Sequence, residues 1–488
     1  RALEEADQNQ GAGSKPVAKP ITHVWLVFAL VIMAAFLDVI DFSIVQIALP
    51  SIRTQFLVPL ADSQWIVGAY GITMAGFLML SGRLGDVYGQ KRLFVIGVIL
   101  FSLASLTGGL APSLLSLVVS RAVQGVGAAI SSVTALSIFV MLFSEGRERN
   151  RALGIFVAVL SAGFAAGSIM GGILTALFGW RSVMFVNVPI GVAAAALSQK
   201  LLPDGGGRMA NRRLDLPGAL SVTSGLILLV YGLTNASNEG FSSLQAIIPL
   251  GLSLLALAGF VAVESRSKFP LVPLGFLRRG TVLSANVLAL IFTSASGGLG
   301  FILTIYMQQI LGYSALQAGL GFLPPAIIFF VVGGWGSSWF VNRLGIRRVL
   351  VAATAFITVG FALLTQISAQ GDYLGIAPGM SLWALGASIG FPALNIAALA
   401  GTRPGEEGLA SGLISTSQRV GFPLGLAVLL TIATAFDPVP SGGAGPAASA
   451  DGVVAGFRYA LVAAALLGVL GLIIALRIKQ QKAPKRPG

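Results

Sequence analysis

The sequence predicts an all-α membrane protein with about fourteen transmembrane helices. Three observations carry that prediction. The 488 residues are 55% hydrophobic and only 10% charged, with a mean hydropathy of +0.88, whereas soluble domains carry about 25% charged residues. The apolar residues gather in runs of about 20, enough to cross about 30 Å of hydrocarbon at roughly 1.5 Å per helical residue. The basic residues fall almost wholly in alternate connections between those runs, the pattern of the positive-inside rule.

In chain order the apolar segments are 24–50, 64–82, 93–111, 114–141, 152–178, 182–202, 215–235, 245–263, 283–311, 315–341, 347–368, 373–400, 408–436 and 454–477. The first follows a polar stretch of mixed charge, 1–23, that reads as a disordered tail without a cleavable signal. The second segment and the pair at 215–263 are weaker spans, richer in small or polar residues. With the N-terminus placed in the cytoplasm, the inner segments hold 26 Lys and Arg, and the outer ones hold only Arg53, Arg181 and Arg458. Both termini are then cytoplasmic and the helix count is even. The same distribution assigns the net charge of +13 to topology and to anionic lipid rather than to nucleic acid.

The chain also repeats weakly. Gly82-Arg-Leu-Gly-Asp86-Val-Tyr-Gly89-Gln-Lys91-Arg92 joins helices 2 and 3, and a shift of 256 lands on Asn342-Arg-Leu-Gly345-Ile-Arg347-Arg348 after helix 10. Gly89 then matches Gly345 and the basic pairs coincide. Such repeats are common in secondary transporters. They divide the chain into a first six-helix bundle (24–202), a linker with two inserted helices (203–282), a second six-helix bundle (283–477) and a basic tail (478–488). Within this scheme 437–453 is a flexible outer loop.

Several function classes are excluded. There is no cysteine, so no disulfide framework, thiolate chemistry or cysteine metal site exists. The single histidine, His23, precedes the first helix, so neither a histidine metal cluster nor a catalytic triad is available. No phosphate loop of the GxxxxGK[ST] type is present. The chain reads as a non-enzyme without cofactor or metal, and a transporter of this make-up must draw on an ion gradient.

Five stretches carry a resemblance. The glycines of Gly82–Arg92 permit a tight turn, and Asp86 can sit near a helix start. Helix 1 ends Asp41-Phe-Ser43-Ile-Val-Gln46-Ile-Ala-Leu-Pro50. Helix 4 carries Arg121-Ala-Val-Gln124-Gly125-Val-Gly127. Helix 5 carries Gly154, then Gly163-Phe-Ala-Ala-Gly167-Ser168-Ile-Met-Gly171-Gly172. The next link reads Trp180-Arg181-Ser-Val-Met-Phe185-Val-Asn187-Val-Pro189-Ile-Gly191. Together these resemble the major facilitator superfamily, and LDLPGAL at 214–220, LGYSALQAG at 311–319 and GLASGLISTSQRVG at 408–421 resemble its fourteen-helix drug/proton antiporter branch. The resemblance covers roughly 24–436. It implies two six-helix bundles (1–6 and 9–14) with two extra helices, and it places Asp86 against the start of helix 13. The chain departs from the family pattern at Ser43 (usually Thr), Gln46 (often Asn), Ser168 (usually Pro) and the order Gln418-Arg419 (usually Arg-Gln). Ser168 removes any kink argument that rests on proline.

Acids inside a membrane are costly and are functional candidates. Asp38 and Asp41 lie three apart on helix 1, on nearly the same face. Such a carboxyl can take up and release a proton as its surroundings alternate between dry and wet. The bland alternative is a structural carboxylate bonded to a neighbouring helix. Asp41 is favoured for its place in the motif. It lies about 13 Å from the outer end of helix 1, and Arg121 lies about 10 Å into helix 4, so the two can pair if those helices touch. Asp41, helped by Asp38, is then the expected proton carrier and Arg121 the group that tunes its release, although Arg121 can equally bond backbone carbonyls. Arg419 lies about 16 Å into helix 13 without an obvious acid in the C-terminal half, and it either faces substrate or snorkels. The glycines Gly154, Gly163, Gly167, Gly171 and Gly172 suit close helix packing. Trp65, Tyr70, Tyr306, Gln309, Trp335 and Asn395 are candidates to line a central cavity, although aromatics in membrane helices more often serve packing.

The expectation is therefore a proton-driven exporter of small hydrophobic or cationic compounds in the plasma membrane. It acts as a monomer on a small-molecule substrate, with protons and the lipid bilayer as its other partners. A lipid or metabolite exporter of the same fold is the alternative, and a non-transporting sensor or scaffold is the alternative of another class.

Overall fold

The computed structural model describes residues 24–143, 147–202, 216–266, 274–277, 281–400, 407–435 and 450–478. The tails at 1–23 and after 478, the linker at 203–215 and most of the 437–453 loop lie outside these residues. Among the described residues every regular element is helical. The chain runs α1 (Val24–Phe56), α2 (Leu60–Tyr88), α3 (Gln90–Gly109), α4 (Leu114–Leu142), α5 (Arg147–Phe178), α6 (Arg181–Leu201), α7 (Leu216–Glu239) and α8 (Leu244–Arg266). It continues with α9 (Val282–Ile310), α10 (Ala315–Gly333), α11 (Ile346–Leu364), α12 (Tyr373–Leu399), α13 (Glu407–Ala435) and α14 (Ala450–Arg477). Eleven of these helices are long and apolar enough to cross a membrane. The others are α2, α5 and α7, and the longest apolar stretches of the last two are Ala166–Phe178 and Leu220–Ala236. Of the pair expected to be weak, α8 is strongly apolar.

Local chemistry sets the helix ends. Ser113 opens α4 with a capping box, its Oγ accepting from the Ser116 amide at 3.2 Å. Ser314 and Gln317 form the same device at α10, and Asp372 caps α12 by accepting from the Gly375 amide at 3.1 Å. Helix α1 does not stop at Pro50 but runs one and a half turns further, with Thr54 Oγ1 donating to the Pro50 carbonyl at 2.9 Å. Helix α5 runs unbroken through Ser168, whose hydroxyl donates to the Phe164 carbonyl at 2.9 Å. Helix α9 ends in a π-helical turn, Tyr306–Ile310, and α10 passes through another, Phe329–Gly336, before continuing as Ser337–Leu344.

The motif expected to be a loop is almost entirely helical. Helix α2 continues to Tyr88, and Gly89 alone separates it from α3. Gly89 holds φ 93°, ψ 134°, and its N–H donates back to the Gly85 carbonyl at 3.0 Å. Gly345, 256 residues on, holds φ 82°, ψ 157° between Ser337–Leu344 and α11, and its N–H donates to Val341 at 2.9 Å. A Cβ rarely tolerates positive φ, so the repeat read from sequence is also a repeat of backbone conformation. The Asp86 side chain lies outside the described residues, as do those of Arg83 and Trp335.

Packing sorts the helices into two groups, α1–α6 and α9–α14, which meet along α1/α9, α2/α13 and α5/α10. In each group the first and fifth helices meet at glycines. A Cβ on Gly167 would lie 2.9 Å from the Ile40 carbonyl oxygen, and one on Gly171 would lie 2.9 Å from that of Ile44. On the other side, a Cβ on Gly421 would lie 2.6 Å from the Leu290 carbonyl oxygen. Gly163 meets Phe36 in the same way, Gly172 faces Ala315 and Leu316 of α10, and Gly82 meets Val133 of α4. The surroundings of Gly154 lie outside the described residues.

Helices α7 and α8 pack on each other, and α7 lies across α2 and α13, touching both groups. Gln64 donates to Thr234 at 2.7 Å, and Thr431 donates to the Leu233 carbonyl at 3.3 Å. The outer face of α8 exposes Leu252, Leu254, Leu255 and Val261, an apolar surface suited to lipid.

If the α1/α5 seam depends on close backbone approach, Gly167→Ala should destabilise the protein by about 1–3 kcal/mol through overpacking. Gly251→Ala on α8, where an added Cβ meets nothing within 4 Å, should leave it unchanged. Thermal unfolding of both variants in detergent checks this.

Candidate functional site

Asp38 and Asp41 are about 60° apart around α1 at 3.6 residues per turn. That small angle sends them to different neighbours. Asp41 points into the interior of the first helix group and is fully buried. Its Oδ2 accepts from Arg121 Nη1 of α4 at 2.5 Å. Its Oδ1 accepts from Gln124 Nε2 at 2.8 Å and from Asn187 Nδ2 of α6 at 2.7 Å. Asn187 Nδ2 also reaches Ser105 Oγ of α3 at 3.1 Å, and Ser105 donates to the Met184 carbonyl at 2.8 Å. Arg121 Nε donates to the Ile66 carbonyl of α2 at 3.0 Å, Nη1 also donates to Gln124 Oε1 at 2.7 Å, and the guanidinium carbon stands 4.4 Å over the Tyr70 ring. One buried carboxylate thus gathers side chains from α2, α3, α4 and α6 around α1.

Asp38 faces the seam between the two helix groups. The Tyr70 hydroxyl donates to its Oδ1, and Arg419 Nη1 of α13 stands 3.6 Å from its Oδ2. Arg419 Nη1 also lies 2.8 Å from Met74 Sδ. Arg419 therefore finds its acid not in its own half, whose acids all lie outside the apolar segments, but across the seam. The exposures separate the two pairs. Asp38 and Arg419 are 12% and 35% exposed, whereas Asp41 and Arg121 are 0% and 1% exposed.

The geometry assigns different chemistry to the two acids. All three partners of Asp41 are N–H donors, so a proton on its oxygens would set donor against donor. Asp38 has a hydroxyl partner that can rotate, a loose ion pair and access from the seam. The structure thus separates the two acids by place: Asp41 is enclosed with Arg121 inside the first helix group, and Asp38 faces Arg419 across the seam.

One helical turn from Asp38 along α1, and three residues from Arg419 along α13, Phe42 and Phe422 meet edge to face with ring centroids 4.8 Å apart. They line a cavity of about 40 Å³ between the groups with Gln46, Phe164, Phe322 and Trp383. Drug sites measure roughly 300–1,000 Å³, so in this conformation the cavity is too small for a molecule of that size. A second recess of about 390 Å³, wholly side-chain apolar, lies between α1 and α5 near Trp25, Phe28, Met33, Phe36, Ile155 and Val159.

Of the residues expected to line the cavity, the structure brings Tyr70 and Arg419 to Asp38. It places four elsewhere, three of them held by hydrogen bonds and Trp65 by a ring contact. Trp65 packs toward Tyr231 of α7, with ring centroids 6.3 Å apart. Tyr306 donates to the Ser368 carbonyl at 2.7 Å. Gln309 accepts from Arg53 at 2.9 Å, and Asn395 donates to Phe391 one turn back at 2.8 Å. The Arg53–Gln309 contact joins positions 256 apart, the repeat spacing. Lys91 and Arg92 open α3, with Arg92 exposed, away from both acids. Gln124 and Asn187 were visible only as motif members, and no spacing rule connects them to Asp41. Phe42, Trp383 and Phe422 carried no signal because their neighbours come from distant helices.

Comparison with known proteins agrees with this architecture. A family model described as Major Facilitator Superfamily matches residues 31–426. The chain is 39% identical over 403 residues to the cephamycin export protein CmcT of Amycolatopsis lactamdurans, covering 82% of this chain and 83% of that protein. It is 34% identical over 467 residues to the puromycin resistance protein pur8 of Streptomyces alboniger, covering 94% and 91%. Among solved structures, the xylose transporter XylE from E. coli in a partially occluded inward-open conformation superposes with a TM-score of 0.64 at 11% identity, covering 95% of this chain and all of that one.

Breaking a buried ion pair by removing one partner costs about 3–5 kcal/mol. Asp41→Ala and Arg121→Ala should each destabilise by that order, with the double variant costing less than the sum. Asp38→Ala, at the looser pair on the seam, should cost less than either single variant. Thermal unfolding in detergent reads all four variants.

Proposed function

The chain belongs to the major facilitator superfamily, and on that premise we propose that it is a proton-coupled exporter of small hydrophobic or cationic drug-like compounds. It works by alternating access, with fourteen transmembrane helices. Residues 24–202 and 283–477 are the two moving bundles, 203–282 carries the inserted pair, and both termini lie in the cytoplasm beneath the plasma membrane. The charge bias of 26 against 3 supports this orientation. A monomer suffices, because the Asp38 site and the cavity beside it are built within one chain.

The observation that carries the reading is Asp38 at the seam. It is an intramembrane acid with a rotatable hydroxyl on one side and a guanidinium 3.6 Å away on the other, one turn from an aromatic cavity. A proton and a substrate cation compete for the same carboxylate, which is the elementary requirement of exchange. Phe42, Phe164, Phe322, Trp383 and Phe422 provide the apolar and π surface that a hydrophobic cation needs. The relatives named for cephamycin export and puromycin resistance support drug-like cargo and favour transport over a sensor or scaffold. Asp41 and Arg121 hold the first bundle together so that Asp38 keeps its position while the seam opens.

In proteoliposomes with an imposed pH gradient, the wild-type protein should accumulate a fluorescent cationic drug against its gradient. Asp38→Asn should reduce uphill accumulation to background while downhill equilibration of the drug persists. Full uphill accumulation by Asp38→Asn would remove the acid from the coupling step, and no gradient-driven accumulation by the wild type would remove proton coupling altogether.

A further inference from the structure

The Asp38–Arg419 pair has a second property besides its place beside the cavity. It joins opposite full charges on two bodies that must move apart. Asp38 belongs to the first helix group and is tied there by the Tyr70 hydroxyl of α2, whose ring lies under Arg121 of α4. Arg419 belongs to α13 of the second group. The charged and titratable groups around Asp38 are therefore Tyr70 from α2, Arg121 behind it from α4, Asp41 three residues on in α1, and Arg419 from α13. Arg121 is committed to Asp41, so Asp38 and Arg419 balance each other.

The pair is also loose on the arginine side. A guanidinium can clasp a carboxylate with two parallel N–H···O bonds. Here both of the described contacts of Arg419, to Met74 Sδ and to Asp38, use Nη1, and the ion-pair distance is 3.6 Å against 2.5 Å for Arg121–Asp41. Asp38 is held from behind by the Tyr70 hydroxyl, whereas the described contacts of Arg419, to Met74 and to Asp38, both lie across the seam.

We propose that Asp38–Arg419 is a charge latch across the seam, in which Arg419 occupies the seat at Asp38 that the proton or the substrate's cationic group takes in the loaded carrier. The proposal rests on the reading above that Asp38 exchanges a proton for a cation. An exchanger must not reorient while empty, since an empty return converts exchange into a one-way proton leak. With Asp38 charged and unoccupied, its attraction for Arg419 holds the groups together. A proton neutralises Asp38 and a substrate cation competes for it, so either ligand releases Arg419 and frees the seam. The sign of this coupling also sets substrate class. An anion bound to Arg419 would free Asp38 and favour its protonation, so proton and anion would travel together instead of exchanging. The latch therefore selects cations.

The test uses the full chain in proteoliposomes with a pH-sensitive dye and no drug. The wild type should hold an imposed pH gradient. Arg419→Gln should raise drug-free proton flux at least tenfold, and Arg419→Lys, which keeps the charge, should bring the flux back toward the wild-type level. Because the chain has no cysteine, spin labels can be placed at Leu177 and Leu374, exposed positions on α5 and α12. Their distance distribution should shift in the wild type when pH is lowered, and Arg419→Gln should show that shifted distribution at neutral pH. An Arg419→Gln protein as proton-tight as the wild type, or one with an unshifted distribution, overturns the latch. A wild type whose label distance responds to pH and to Arg419 but which moves no protons when drug is added keeps the latch and refutes the exchange reading instead.

Discussion

A carboxylate in the middle of a membrane cannot be left without partners, since the effective cost of desolvating an ion is several kcal/mol. The first helix group is arranged around that constraint. Asp41 accepts three N–H bonds, the donors come from α4 and α6, and their own second contacts reach α2 and α3. Each of these helices must arrive at the same depth with the right face inward, so one acid fixes the mutual register of five helices. The buried network ties these helices into one unit.

Those seams are built differently. Inside each group the first and fifth helices lock at glycines, with backbone carbonyls filling the space a Cβ would need. Between the groups α5 and α10 also meet at glycines, where a Cβ on Gly172 would lie 2.7 Å from the Ala315 carbonyl oxygen, but the other contacts include aromatic edges, a 3.6 Å ion pair and side-chain bonds such as Arg53 to Gln309. Interactions of that kind can be broken and remade without unfolding either body. Helix α7 bridges α2 and α13 on one side, so it covers the seam there.

Much of this was legible in the sequence because membrane physics is local. Run length gave the helices, and the offset of 256 anticipated the shared backbone of Gly89 and Gly345. Matched depths paired Asp41 with Arg121. The acids could not be told apart from sequence, because a 60° difference on one helix decides whether a carboxyl faces its own bundle or the seam. Arg419 found its acid in the other half, a relation no motif spacing encodes. Trp65, Tyr306, Gln309 and Asn395 share the chemistry of cavity residues, but their hydrogen bonds and ring contacts are made elsewhere. The aromatic lining was invisible because it is assembled from α1, α5, α10, α12 and α13.

In the proposed exchange one carboxylate, Asp38, is shared between the proton and the cargo. Proton release on adding a cationic drug to the purified protein in weakly buffered detergent solution tests it most directly. The wild type should release protons as the drug binds, and Asp38→Asn should bind drug without releasing any. Undiminished release from Asp38→Asn would place the shared site elsewhere.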